Sequence, residues 1–163
     1  MRHSRIATVM LTLALAHPTA AGVLDSPLPE LLAGQTTLHV FTVPGIIATG
    51  GIGSFFNCTS LDTVTMQVGV ELFPAPGGAP INDTVATSLS LAPGATVIFG
   101  TSAAVGISIS SSLGGLFSKG SARILSTSKK LGCNAFMADT SNDPPTSMAQ
   151  LTVITKTKQK AFN

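Results

Sequence analysis

Residues 63–72 read TVTMQVGVEL. Val64, Met66, Val68, Val70 and Leu72 share one parity, and Thr63, Thr65, Gln67, Gly69 and Glu71 take the other. Side chains alternate across a strand with period two, whereas a helix would scatter each class around its axis. Five successive alternations therefore predict a strand with a buried face carrying Val64, Met66, Val68 and Val70, and a wet face carrying Gln67 and Glu71. The next eight residues, FPAPGGAP (73–80), hold three prolines and two glycines and predict a loop.

The same grammar extends in both directions. Further strands are expected at 37–43, 52–58, 84–91, 95–101, 105–110, 122–127, 131–138 and 148–155. Pro93-Gly94, Lys129-Lys130 and Asn142-Asp143-Pro144-Pro145 punctuate them, and PGIIATGGIGS (44–54) reads as a flexible connection between two strands. Short strands at regular spacing, with no helical period after the first two dozen residues, predict an all-β fold: an antiparallel β-sandwich of seven to nine strands. Abundant Ser and Thr suit wet strand faces, where β-branching helps and charge is not required.

The N-terminus is of another kind. MRHSRIATVMLTLALAHPTAA (1–21) has Arg2 and Arg5, then an apolar run from Ile6 to Ala16, then small residues ending in Ala20 and Ala21. That order is the n-region, h-region and cleavage site of a secretory signal peptide. The run falls short of the roughly 20 apolar residues that span a bilayer, so no transmembrane segment is expected after cleavage. Residues 22–34 then form an extended leader, and 35–163 a single β-sandwich domain. The expected location is secreted, extracellular or periplasmic.

Composition narrows the function classes. Of 163 residues, 44% are hydrophobic and 10% charged, with neither Trp nor Tyr; disordered chains are charge-rich and apolar-poor. Loss of Arg2 and Arg5 with the signal peptide leaves seven basic residues against seven acidic ones. A nucleic-acid partner would require a basic stripe, and the only cationic cluster, KTKQK (156–160), reads as a solvated edge and chain end.

Cys58 and Cys133 are the only cysteines. Cys58 shares parity with Phe56, and Cys133 with Leu131, Ala135 and Met137, so both face a core. Export carries the chain into an oxidising compartment. A Cys58–Cys133 disulfide is therefore expected, closing a loop of about 76 residues and contributing on the order of 4 kcal/mol in the chain-entropy account; two buried free thiols are the alternative. Cys58 also lies in the sequon Asn57-Cys58-Thr59, where a glycan would crowd a buried sulfur. Asn82-Asp83-Thr84 is the better-exposed sequon.

Two cysteines this far apart on separate strands resemble the inter-sheet bridge of an immunoglobulin-type sandwich, without that family's Trp and Tyr. The blocks PGATVIFGT (93–101) and GSARILSTSKKLGCNAFMAD (120–139) resemble secreted bacterial β-sandwich proteins that carry no known activity. This resemblance covers about a third of the chain and implies fold and location only. Phe162, the penultimate aromatic, is faintly similar to the end of a chaperone–usher pilin.

No catalytic, cofactor-binding or metal-binding residues are assigned. The acids Asp25, Glu30, Asp62, Glu71, Asp83, Asp139 and Asp143 show no glycosidase-like spacing. His39 is the one histidine outside the signal peptide; it cannot form a metal triad alone and is expected on a wet face. No nucleophile elbow or Walker ending occurs. Asp139, Asn142 and Asp143 could ligate calcium, but a turn built by Asx chemistry and prolines is the favoured reading.

The chain thus reads as a secreted, non-enzymatic binding or interaction module without cofactors, or alternatively as a structural or adhesive pilin-like surface subunit. Residues 110–120, SSSLGGLFSKG, form the candidate contact loop toward a protein or surface partner. Its residues are Leu113, Leu116, Phe117 and Lys119, with Leu116 and Phe117 either exposed or folded back as a plug. The intact mass of the exported protein is expected to correspond to a start near Gly22; a cytosolic product retaining Met1 contradicts that.

Overall fold

A computed structural model describes residues 26–114 and 118–156. The chain forms β1 (Leu38–Ile47), β2 (Ile52–Ser60), β3 (Met66–Pro74), α1 (Thr84–Thr87), β4 (Leu89–Leu91), β5 (Thr96–Gly100), β6 (Ser111–Ser112), β7 (Lys119–Ser126), β8 (Leu131–Asp139), β9 (Met148–Leu151) and β10 (Ile154–Thr155). They build two five-stranded sheets, in the orders β10-β1-β7-β3-β4 and β6-β5-β2-β8-β9. Every pairing is antiparallel except β5 with β6. The expected all-β sandwich is present, with ten strands among the described residues where seven to nine are expected. No helix among the described residues is long and apolar enough to cross a membrane.

Met66, Val68, Val70 and Leu72 of β3 lie in the core with Ile124, Val43, Phe56, Phe99 and Leu131. Val64 does not: it is 62% exposed. Asp62 accepts the Thr63 N–H at 2.7 Å and a hydroxyl hydrogen bond from Ser128 at 2.6 Å. Those contacts hold the chain in a bend, and pairing with β7 begins only at Val68, beside the β4 partner of Met66. Threonine-valine alternation therefore runs two residues past the strand itself.

Glu71 departs from its expected wet face and is 3% exposed. Residues 26–37, which include the described part of the leader expected at 22–34, lie packed as a strap over the outer face of the first sheet. Leu31 is buried, and its N–H donates to Thr37 Oγ1 at 3.1 Å. A Cβ on Gly69 would come within 3.0 Å of Leu31 Cδ2 and 2.9 Å of Thr84 Cγ2, so only glycine lets the strap and α1 approach β3 this closely. Beneath the strap the Arg123 guanidinium donates to Glu71 at 2.5 Å and to the Ser26 and Pro27 carbonyls at 3.2 and 3.5 Å, and lies over the Phe73 ring. The neighbouring outer-face residues Val40, Phe73 and Leu125 are buried as well.

Segments expected as single strands divide for local reasons. Residues 84–91 begin with one helical turn, because Asp83 caps it by accepting the Ala86 N–H at 3.0 Å. Residues 105–110, expected as a strand, are irregular; Ile109 packs over Gly100, and Ser110 binds the Ile98 backbone. Residues 148–155 split between the sheets, β9 pairing with β8 and β10 with β1. The glycine-rich connection is shorter than expected, since Pro44 and Ile47 belong to β1. Gly50 and Gly51, both at positive φ, make a two-residue reversal between Thr49 and Ile52.

Cys58 and Cys133 form the expected disulfide, and both pack on the core. It does not bridge the sheets as in the immunoglobulin pattern. The two residues are direct partners on adjacent strands of the second sheet, with Cα atoms 4.2 Å apart. Backbone hydrogen bonds between Gly51 and Thr140 and between Leu61 and Lys130 set the alternation along the pair. They make Cys58 and Cys133 a non-hydrogen-bonded pair, whose side chains approach most closely.

Replacing Glu71 by Ala is expected to cost about 3–5 kcal/mol, because it leaves a buried guanidinium unpaired. Val64→Asp should stay within about 0.5 kcal/mol of wild type, as surface substitutions do. Denaturant midpoints measure both; comparable losses would contradict the burial pattern of β3.

Candidate functional site

Of the loop expected to make contacts, residues 110–114 and 118–120 are described. Leu113 is 1% exposed and belongs to the core, its N–H donating to the Gly100 carbonyl at 2.8 Å. Lys119 opens β7, opposite Ile47, and is exposed. Leu116 and Phe117 lie outside the described residues, as do Lys158 and Lys160 of the tail. Cys58 and Cys133 are joined and are not reactive thiols.

His39 is buried at 8% exposure rather than lying on a wet face. A bulge interrupts the β1–β7 register between His39 and Phe41. His39 Nε2 lies 2.9 Å from Thr42 Oγ1 and 3.1 Å from the Phe41 carbonyl, while Nδ1 has no hydrogen-bond partner. Burial lowers its pKa to about 4, reinforced by the charges of Lys156 and Arg123. Leu28, Thr37, Phe41, Lys129 and Lys156 help line a cleft of about 360 Å³ beside it. An imidazole with so low a pKa is a neutral, partly satisfied structural group near pH 7.

Asp139, Asn142 and Asp143 form a turn. The Asp139 carboxylate accepts the N–H groups of Asn142, Thr146 and Ser147 at 3.1, 2.6 and 2.9 Å, and the Asn142 side-chain amide at 2.8 Å. These donors, led by the Ser147 N–H, hold its pKa well below the usual carboxylate range. Asp143 contributes no side-chain hydrogen bond to this set. No group of three His, Cys, Asp or Glu side chains that could hold a metal ion occurs among the described residues. The Asn82 sequon is less open than its sequence suggests: the Asn82 amide donates to the Val70 carbonyl at 2.7 Å and accepts from Leu72 N–H at 2.8 Å, and Thr84 is buried. Asn82 thereby continues the edge of β3 where β4 has ended.

A surface that the motif search did not single out lies on the outer face of the second sheet. Residues 102–110 cover one half of that face. Their packing needs Gly53 and Gly100, where an added Cβ would meet Ser102 at 3.2 Å and Ile109 at 2.9 Å, and Phe55 is fully buried there. The other half, on β8 and β9, stays open. Register places Asn57 opposite Asn134 and Phe136 opposite Gln150. The Phe136 ring stacks on Phe55 with centroids 5.4 Å apart and remains partly exposed. Two shallow depressions, of about 390 and 350 Å³, meet at Asn134 and Gln150.

The hydrogen-bonding state of this patch sets it apart. Elsewhere Gln67, Asn82 and Asn142 use their side-chain amides within the protein, while the exposed Gln35 does not. The side chains of Asn57, Asn134 and Gln150 make no such bond among the described residues, and Asn57 Oδ1 is buried as well. Buried polar atoms nearly always find partners, so a buried amide oxygen without one is a notable feature of an otherwise well-satisfied sheet. No charged residue lines either depression. Sequence held a faint signal of this surface: Asn57 and Asn134 each flank a cysteine, so a direct Cys58–Cys133 pair forces the asparagines onto the opposite face, side by side.

Comparison with protein-family models, curated proteins and solved structures yields no match to the chain.

The His39 pKa sets a pH signature. Its folded value, about 4, lies below the ordinary 6.5, so between these values the unfolded chain binds more protons. The stability that neutral His39 permits is fully present above pH 6.5 and declines as pH falls toward 4. Asp62, held at about 2 chiefly by the Ser128 hydroxyl, acts only at lower pH. His39→Gln should therefore flatten the loss of stability between pH 6.5 and 4, read as denaturant midpoints across that range. An unchanged slope would place the titration elsewhere.

Proposed function

We propose that the chain is an exported, non-enzymatic binding module of bacterial type, with an immunoglobulin-like two-sheet architecture. On this reading residues 1–21 serve as a cleaved signal peptide, and the mature protein works outside the cytoplasm against a surface partner. The observation that carries it is the concentration of unpartnered side-chain amides, Asn57, Asn134 and Gln150, on the open half of the second sheet. Binding sites place a few polar groups beside apolar surface on a rigid support. Here Phe136 supplies the apolar part, and the disulfide-joined β2–β8 pair the support. Asp139 is committed to its turn, and His39 Nε2 to Thr42 and the Phe41 carbonyl within β1.

Retention of the purified mature protein on envelope preparations of producing cells tests the reading. Asn134→Arg should abolish retention while leaving the melting temperature unchanged, and Lys129→Glu, on an exposed turn, should not affect it. Equal retention of all three proteins would overturn the assignment.

One observation favours the alternative reading, a structural or adhesive subunit. The free edge of β9 carries neither charge nor proline, and Met148 is 61% exposed. Natural sheets usually blunt such edges with charge, bulges or cover. A concentration-independent monomer in sedimentation is the expected result; strand-exchanged polymers would favour the subunit instead.

A further inference from the structure

We propose that the open face formed by Asn57, Asn134, Phe136 and Gln150 binds a neutral, hydroxyl-rich saccharide. The inference rests on the binding-module reading and names its ligand class. A primary amide carries two N–H donors and an acceptor oxygen on one flat group. A pair of adjacent sugar hydroxyls offers the complementary set, each hydroxyl both donating and accepting. The cross-strand partners Asn57 and Asn134 present two amides side by side, and Gln150 presents a third on the next strand. None of the three has an intraprotein partner among the described residues.

The remaining features exclude competing ligand classes. A nucleic acid or anionic polymer needs cations, and no Lys or Arg lines the two depressions. A cationic ligand would find no carboxylate there. An apolar ligand requires an enclosing pocket, whereas this face is open, with Asn134 and Gln150 exposed. A saccharide presents apolar C–H surface as well as hydroxyls, and the partly exposed Phe136 ring offers an apolar counterpart. The two depressions, about 390 and 350 Å³ and joined at Asn134 and Gln150, follow the β8–β9 direction and suit a chain of sugar units better than a single one. Asn134 and Gln150, exposed and lining both depressions, are the amides a ligand hydroxyl would reach first.

The test is calorimetric or NMR titration of the mature, disulfide-intact protein with neutral gluco-, manno- and galacto-oligosaccharides. Saturable binding of at least one series is expected. Asn134→Ala and Gln150→Ala should each weaken it about tenfold, the scale of a lost hydrogen-bonding group, with unchanged melting temperatures. Phe136→Leu retains bulk over Phe55 and should weaken it further. Saturable binding to which all three variants are indifferent would overturn the proposal. Absence of binding across the panel at 10 mM (roughly a thousandfold above a 10 μM affinity) would do so too. If saccharides fail while Asn134→Arg still abolishes envelope retention, the ligand class is wrong and the binding face stands; if both fail, the binding reading falls with it. Binding of an extended peptide in place of any saccharide, with Met148 and Gln150 amides protected, would assign the surface to strand addition at β9 and overturn the saccharide.

Discussion

The direct pairing of Cys58 with Cys133 fixes the register of β2 against β8, and much of the second sheet follows from it. A strand slipped by one residue turns every side chain to the other face. With this register locked, Phe56 and Ala135 point into the core, and Asn57, Asn134 and Phe136 point out. The covalent bond therefore acts on surface chemistry as well as stability. It selects which side chains the protein presents, and it does so at the central pair of strands, from which β5 and β9 take their own registers.

The first sheet meets the opposite problem. Its outer face carries Val40, Phe73 and Leu125, apolar groups that would be costly to leave in water, together with a full guanidinium–carboxylate pair. Removing two charges from water costs several kcal/mol per ion unless hydrogen bonds recover it. Arg123 recovers part of that cost through Glu71, the Ser26 and Pro27 carbonyls and the Phe73 ring. The strap both creates the low-dielectric site and supplies two of its acceptors. Each sheet thus has one irregular segment laid over it, residues 26–37 on the first and 102–110 on the second, and close approach depends on glycines: Gly69 in one case, Gly53 and Gly100 in the other.

The alternation in β3 and the parity of the two cysteines were legible because both are local: each depends on neighbours two residues away. Val64 shows the limit, since alternation persists into a bend that Asp62 and Ser128 impose from another loop. Glu71, Arg123 and His39 show a second limit. Polarity marks them for the surface, and only the strap, distant in sequence, makes them interior. Leu113 is the converse case, an apolar residue in a serine- and glycine-rich stretch that belongs to the core. The amide face was hidden for a third reason. An asparagine on a strand carries no signal of its own, and the distinction between Asn82 and Asn134 lies in whether the fold provides a partner.

The strap also imposes a sequence of events in time. Its acceptors at Ser26 and Pro27 lie 97 and 96 residues before Arg123. The strand it covers, β7, sits at the centre of the first sheet and pairs with both β1 and β3. A chain emerging from its N-terminus must carry residues 26–37 undocked until β7 has been delivered and paired, because the surface they cover does not exist before then. Assembly dominated by such distant partners is intrinsically slow. The earliest residues of the folded unit are thus among the last to find their place, and closing the strap is the step that turns a paired sheet into a sealed one.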